Sequence, residues 1–263
     1  MKQQLNINKS RPKKSLGQNF IIDDEFSRKL SKSINSDKDT NIIEIGPGKG
    51  ALTGYLLEKE FKSIVLIEKD RELYQNLYKS FKNDKRIEVK NIDALHVKYE
   101  KLKLEGKVII VGNLPFNVST QLLFKWLDTK QWPPFYNRMV LMFQKEVADR
   151  IKSGKNSKSY GKISVACQAR CEINELMTAP PEIFYPVPKV YGTVLDFQPS
   201  LKYKNIDFVK LKKILSLGFS KRRKKIKTSL KDYKKELMDL KIDENLRAED
   251  LSVKDFCKLS MCS

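Results

Sequence analysis

The chain has 263 residues, 40% of them hydrophobic, enough for one large domain or a domain with a small appendage around a real core. Its 52 Lys and Arg against 32 Asp and Glu leave a net charge of +20. That exceeds what solubility requires and points to a polyanionic partner, with a generally lysine-rich set of surfaces as the plain alternative. No apolar stretch approaches transmembrane length, and the basic opening leads into no hydrophobic signal segment, so the expected compartment is the cytoplasm. Cys167, Cys171, Cys257 and Cys262 form two close pairs far from the single histidine, His96. That set is too sparse for zinc and reads as reduced thiols, with no metal expected.

A basic arm is expected over residues 1–22. Asp23 or Asp24 is placed to cap a first helix reaching residue 35, with Phe26, Leu30 and Ile34 on one face. Strands and helices then alternate. Strands are expected at 41–45, 63–68, 86–93, 107–113 and 138–143, and helices at 51–60, 71–81, 119–128 and, following the strand at 138–143, through residue 151. Continuous apolar strands between amphipathic helices predict a doubly wound, mostly parallel α/β sheet covered on both faces. The polar stretch at 153–158 interrupts the pattern. A helix is expected over 162–170, a strand over 171–178, a proline-rich loop over 179–188 and a last strand near 192–197. Past residue 199 the composition turns lysine-rich and helical. The core domain is therefore placed at 23–202 and an all-helical appendage at 203–263.

In such a sheet, ligands bind beyond the carboxyl ends of the strands. The first strand ends in Gly46-Pro47-Gly48-Lys49-Gly50, whose glycines allow a tight turn and close approach of the backbone to a ligand. The second ends in Glu68, placed to accept both hydroxyls of a ribose. The third ends in Asp93, placed to accept from an adenine amino group, and the fourth in Asn113. A glycine loop with a ribose acid suits a nicotinamide dinucleotide as well as S-adenosyl-L-methionine. The G-x-G-x-G spacing and the carboxylate at the third strand end favour the methyl donor.

Asn113-Leu114-Pro115-Phe116 then supplies a carboxamide, a backbone carbonyl stiffened by proline and an aromatic ring. Two acceptors aimed at an exocyclic amine favour a pyramidal nitrogen with its lone pair free, and the Phe116 ring can stack on the base. No general base is needed, because the amine becomes acidic only after methyl transfer. Phe184 offers a second ring or, alternatively, anchors its loop in the core. A base held this way must stand outside a helix or be flipped from it.

These segments together resemble the ribosomal RNA adenine dimethyltransferases, in their bacterial and organellar small-subunit branch. The resemblance is carried by Lys14-Ser15-Leu16-Gly17-Gln18-Asn19-Phe20, the glycine loop, residues 113–120, Gln144-Lys145-Glu146-Val147-Ala148 and Tyr160-Gly161-Lys162. It continues through residues 184–190, Phe219-Ser220-Lys221-Arg222-Arg223-Lys224 and Arg247-Ala248-Glu249-Asp250-Leu251. It covers nearly the whole chain past residue 11. It implies a seven-stranded methyltransferase sheet with a small helical C-terminal domain. It also implies transfer of two methyls to each of two adjacent adenosines in the hairpin loop near the 3′ end of small-subunit rRNA, with a pre-ribosomal 30S particle as the expected partner; nothing in the sequence suggests more than a monomer. It adds Asn19 and Ile21 to Gly46, Gly48, Glu68, Asp93 and Asn113 around the donor. Phe116 and Lys221 depart from the Tyr and Gln usual in the family, and Leu114 favours the small-subunit branch over the macrolide-resistance methylases of the large subunit. Lys9, Arg11, Lys13 and Lys14 in the arm, and Lys221, Arg222, Arg223 and Lys224 in the tail, are the expected phosphate contacts. A ribosome-assembly factor with secondary catalysis is the reading of a different class.

Overall fold

The computed structural model describes residues 11–221 and 223–262. Among them no helix is long and apolar enough to cross a membrane. The strands are β1 (Phe20–Ile21), β2 (Thr40–Ile45), β3 (Ser63–Glu68), β4 (Ile87–Asn91), β5 (Lys107–Asn113), β6 (Arg138–Gln144), β7 (Cys171–Ala179), β8 (Phe184–Tyr185) and β9 (Gly192–Pro199). Seven of them form one sheet in the order β4-β3-β2-β5-β6-β9-β7. Pairing is parallel from β4 through β6 and antiparallel between β6 and β9. Every residue of β2 is buried, because β3 and β5 flank it and helices cover both faces. Its polar members, Thr40, Asn41 and Glu44, therefore carry internal hydrogen bonds, Thr40 to the Asp37 carboxylate and Asn41 to the carbonyls of Glu105 and Lys107.

The helices are α1 (Asp24–Ser33), α2 (Ala51–Leu56), α3 (Arg71–Phe81), α4 (Ser119–Leu127), α5 (Lys145–Lys152), α6 (Lys162–Arg170), α7 (Phe208–Gly218), α8 (Ile226–Ser229), α9 (Lys234–Asp239) and α10 (Val253–Met261). Asp23 caps α1 by accepting from the Phe26 N–H at 2.6 Å, as its position in the sequence predicts. Two elements are shorter than their apolar pattern. α2 stops at Leu56 because the chain must turn to bring the Lys62 N–H onto the Thr40 carbonyl, 2.7 Å away, at the start of β3. β4 stops at Asn91 because Asp93 leaves the ladder to cap the 3-10 turn Ala94–His96.

The chain divides into two compact units. The first takes the described residues up to 123, then 135–145 and 174–197. Its core runs through Ile42, Ile64, Leu66, Ile109, Val111, Val140 and Val194 and reaches out to Phe20, Ile21 and Phe184. Fully burying an aliphatic side chain of this size contributes about 1.5–3 kcal/mol. Arg138 on β6 forks onto Asp196 of β9 at 2.7 and 3.2 Å and donates to the Ser33 carbonyl at 3.0 Å, fastening the end of α1 to the sheet. The second unit takes 124–134, 146–173 and the residues from 198 onward. The lysine-rich tail expected from residue 203 is thus joined by two earlier segments, which no shift in composition marks. Tyr160, Phe219 and Phe256 pack ring to ring there, and the Arg170 guanidinium lies over the rings of Trp132 and Phe208 at 4.3 and 4.7 Å. The cysteines are free thiols; Cys167, Cys171 and Cys257 are buried, and Cys262 is partly exposed.

The arm does not stay apart from the core as far as residue 22. Phe20 and Ile21 are buried as β1, paired antiparallel with β8 in the register Phe20 to Tyr185 and Ile21 to Phe184. The Ile22 N–H continues the ladder to the Ile183 carbonyl at 2.8 Å. Two large apolar side chains in succession gain more from burial than from extension into solvent.

Candidate active site

A cleft opens where the strand order reverses beside β2. It is lined by the carboxyl ends of β2, β3 and β5, by the loop after β4 and by residues 15–21. This is where a doubly wound sheet places its ligands. Counting its mouth, the cleft holds about 1190 Å³ of empty space.

The glycine loop forms one wall. Gly48 has φ +58°, and a Cβ there would lie 3.0 Å from the Phe20 ring, so both backbone and space demand glycine. Its N–H donates to Glu68 Oε2 at 3.1 Å, while the Asp70 N–H donates to Glu68 Oε1 at 2.8 Å. Glu68 is only 6% exposed. Burial pushes its carboxyl above the ordinary glutamate value, against the pull of these two backbone donors. Held at both oxygens, the carboxylate keeps one orientation toward the cleft.

Asp93 sits across from it. Its Oδ1 accepts from the Leu95 N–H at 2.9 Å, and its Oδ2 pairs with Lys69 Nζ at 2.8 Å. Burial raises its carboxyl, but Lys69 and the Leu95 N–H outweigh burial and keep it below the usual aspartate value. Asp93 is therefore an ionised acceptor, as an amino-bearing ring requires.

Asn113, the last residue of β5, donates from Nδ2 to the Asn19 backbone carbonyl at 2.9 Å. That bond decides which end of the carboxamide faces the cleft, leaving Oδ1 as its acceptor. The Val118 N–H closes a turn onto the Pro115 carbonyl at 3.0 Å, and the Ser119 hydroxyl donates to the Phe116 carbonyl at 3.2 Å. These bonds set the loop from 114 to 118 as a rigid lip before α4. Leu114 is 1% exposed and fastens the lip to the core, while Phe116 lines the cleft with its ring partly open.

Of the residues expected from sequence, Asn19, Ile21, Gly46, Gly48, Glu68, Asp93, Asn113, Leu114, Pro115 and Phe116 all line this one cleft. Phe184 does not. Alternation along β8 turns its ring inward, fully enclosed in the core, and leaves Tyr185 outside at 54% exposure. The ring is the core anchor of its loop and has no open face for a base. Lys13 is held by Asp70 at 2.8 Å. Lys221, Arg223 and Lys224 are exposed on the second unit. Lys9 and Arg222 lie outside the described residues, as does the side chain of Lys14. His96 is exposed and does not line the cleft, consistent with chemistry that needs no base.

Sequence reasoning missed Glu44. It lines the cleft, is 2% exposed and accepts from Thr53 Oγ1 at 2.8 Å. Burial pushes its carboxyl to about 7, opposed by Thr53 and helped by the neighbouring Glu68. Two buried carboxylates beside one cleft favour a cationic ligand. The signal available was an acid set between isoleucines at the end of a strand, two residues before the glycine loop.

The chain matches the profile of the family described as "Ribosomal RNA adenine dimethylase" over residues 9–262. It is 38% identical over 251 residues to the Ribosomal RNA small subunit methyltransferase A of Rhizobium etli, a match covering 94% of this chain and 91% of that protein. To the protein of the same name from Wolbachia pipientis it is 39% identical over 257 residues, covering 95% and 88%. Among solved structures it is similar in fold to a dimethyladenosine transferase from Plasmodium falciparum, with a TM-score of 0.78 at 21% identity over 91% of this chain and 95% of that one. The 23S rRNA methyltransferase ErmE follows at a TM-score of 0.67 and 19% identity, covering 92% and 98%. With this sheet, this cleft and a match along nearly its whole length, the chain is a member of the ribosomal RNA adenine dimethylase family of S-adenosylmethionine-dependent methyltransferases.

Proposed function

We propose that the protein transfers methyl groups from S-adenosyl-L-methionine to N6 of two adjacent adenosines in the 3′-terminal hairpin loop of small-subunit (16S) rRNA. The product is N6,N6-dimethyladenosine, formed in a cytoplasmic pre-ribosomal 30S particle by a monomer. The observation that carries the reading is the Asn113 carboxamide, turned by the Asn19 carbonyl so that its oxygen is the end offered to the cleft. Glu68 would hold the donor's ribose and Asp93 its adenine amino group, with Gly46, Gly48, Asn19 and Ile21 close around it. The buried Glu44 and Glu68 complement the donor's positive charge.

Asn113 Oδ1 and the Leu114 carbonyl accept from the target amine and free its lone pair, while Phe116 stacks on the base. The N6 lone pair forms a bond to the methyl carbon as the carbon–sulfur bond breaks, and sulfur keeps the electron pair. The methylated nitrogen then loses its proton to solvent, so no side chain acts as base. Alignment within bonding distance supplies most of the acceleration. A second cycle at the same nitrogen completes the dimethyl product.

The exposed Lys221, Arg223 and Lys224 would contact RNA phosphates, which positions the substrate without reading sequence. Choice of adenosine then comes from RNA shape and from bases splayed out of the loop. Incubation with labelled S-adenosyl-L-methionine and either immature small subunits or large-subunit rRNA tests the reading. Label in N6,N6-dimethyladenosine from the small subunit alone is expected. No label, or label confined to large-subunit RNA, overturns it.

A further inference from the structure

The segment at residues 13–22 is tied down, on its way into the cleft, by one carboxylate outside it. Asp70 is 4% exposed and caps α3, accepting from the Glu72 N–H at 3.0 Å. The same carboxylate takes Lys13 Nζ at 2.9 Å on Oδ1 and 2.8 Å on Oδ2, and Gln18 Nε2 at 3.1 Å on Oδ2. Gln18 closes the loop by accepting the Lys13 N–H on Oε1 at 2.8 Å. Lys13 and Gln18 thus bracket Lys14-Ser15-Leu16-Gly17, and both ends of the bracket are tied to Asp70. Gly17 adopts φ +63°, and a Cβ there would stand 3.1 Å from Asn117 Oδ1, so the bracketed turn seats closely against the lip after Asn113. Immediately past Gln18, the Asn19 carbonyl receives Asn113 Nδ2. On its other side, the Asp70 N–H holds Glu68. Burial alone would raise the Asp70 carboxyl; Lys13 and Gln18 outweigh it and keep it ionised.

We propose that Asp70 is a positioning residue for methyl transfer, latching the segment at 13–22 so that the Asn19 carbonyl sets the Asn113 carboxamide and the donor wall is complete. Lys13 then serves the latch, and its charge is engaged by Asp70 before any phosphate arrives. The inference rests on the donor reading of the cleft. It assigns to Lys13 and Asp70, which do not line the cleft, and to Gln18, which does, a role in holding the segment rather than in the chemistry.

The test uses the full chain and S-adenosylhomocysteine as the probe, with Kd measured by calorimetry. Asp70→Ser keeps a side chain able to cap α3 but too short to reach Lys13 and Gln18. It is expected to weaken binding about tenfold, the equivalent of one charge-assisted hydrogen bond, with little change in the melting temperature of the free protein. Lys13→Met is expected to do the same, and the double variant to add nothing further, because both remove one latch. Asp70→Asn, which retains an acceptor for Gln18, should fall between. Full additivity in the double variant, or Kd values equal to that of the natural protein, overturns the latch. If the natural protein itself fails to bind S-adenosylhomocysteine, the donor reading falls and the latch with it; normal binding there with undiminished binding in the variants overturns the latch alone.

Discussion

Replacing Glu44 by Gln gives the sharpest test of the electrostatics of the cleft. In the folded chain the Glu44 carboxyl stands at about 7, against 4.5 for a free glutamate. The folded pKa is raised, so the folded state keeps a proton that the unfolded chain has already lost. Below about pH 4.5 both states are protonated and Glu44 contributes no pH dependence. Between about 4.5 and 7, stability falls by roughly 1.4 kcal/mol for each pH unit, and above 7 it levels off about 3 kcal/mol lower. The amide of the Glu44→Gln variant cannot ionise, and its Oε1 can still accept the Thr53 hydroxyl that now bonds Glu44 at 2.8 Å. Denaturant unfolding at about pH 5 and pH 8 should show Glu44→Gln gaining about 3 kcal/mol on the natural protein between the two. Parallel pH profiles for the two proteins would refute the reasoning. The same carboxyl should respond to the donor, because a cation in the cleft favours its ionised form. Calorimetric titrations with S-adenosyl-L-methionine near pH 6.5, in buffers of different ionisation enthalpy, should therefore detect proton release, and Glu44→Gln should reduce it.

Asn113→Ala should lower kcat by roughly 10²–10³, as loss of an aimed dipole does, while binding to immature subunits persists; retained activity would remove the carboxamide from the mechanism. Gly48→Ala places a side chain at φ +58° and 3.0 Å from the Phe20 ring. A stability loss of about 1–2 kcal/mol and weaker donor binding are expected by thermal melts and calorimetry. Phe116→Ala should weaken capture of the target base by about 1–3 kcal/mol while Phe116→Tyr stays near the natural value, read from RNA dependence of the rate. Arg223→Ala combined with Lys224→Ala should reduce the slope of log affinity for RNA against log salt by about 2, with no change in S-adenosylhomocysteine binding.

Much of the first unit is legible in the sequence because parallel strands buried on both faces must be continuous apolar runs. The runs at 41–45, 63–68 and 107–113 end within a residue of the observed strands, so Gly46, Glu68 and Asn113 stand at the strand ends where they were expected. Asp93 sits just beyond β4 rather than within it, since its side chain was needed to cap a turn. What stayed hidden depends on partners distant in the chain. β1 and β8 have two residues each and no periodicity; only their mutual pairing makes them strands. For the same reason Phe184, in a proline-rich stretch, looked available to a base, whereas the alternation of β8 buries it. Glu44 shows no motif of its own, because the face it takes depends on Thr53 in the following helix. Gln18 and Asp70 meet across 52 positions, a separation at which composition carries no information.

The pairing of β1 with β8 also sets an order of events during synthesis. Phe20 and Ile21 leave the ribosome early, but their only strand partners among the described residues are Phe184 and Tyr185. At about 5–20 residues per second, those partners emerge many seconds later. Until then Phe20, whose ring lies against Gly48, has no strand partner, and its segment is held by the Lys13 and Gln18 bonds to Asp70. β1 therefore gains its ladder only with residue 185, long after the strand ends of β2, β3 and β5 that line the cleft have been made.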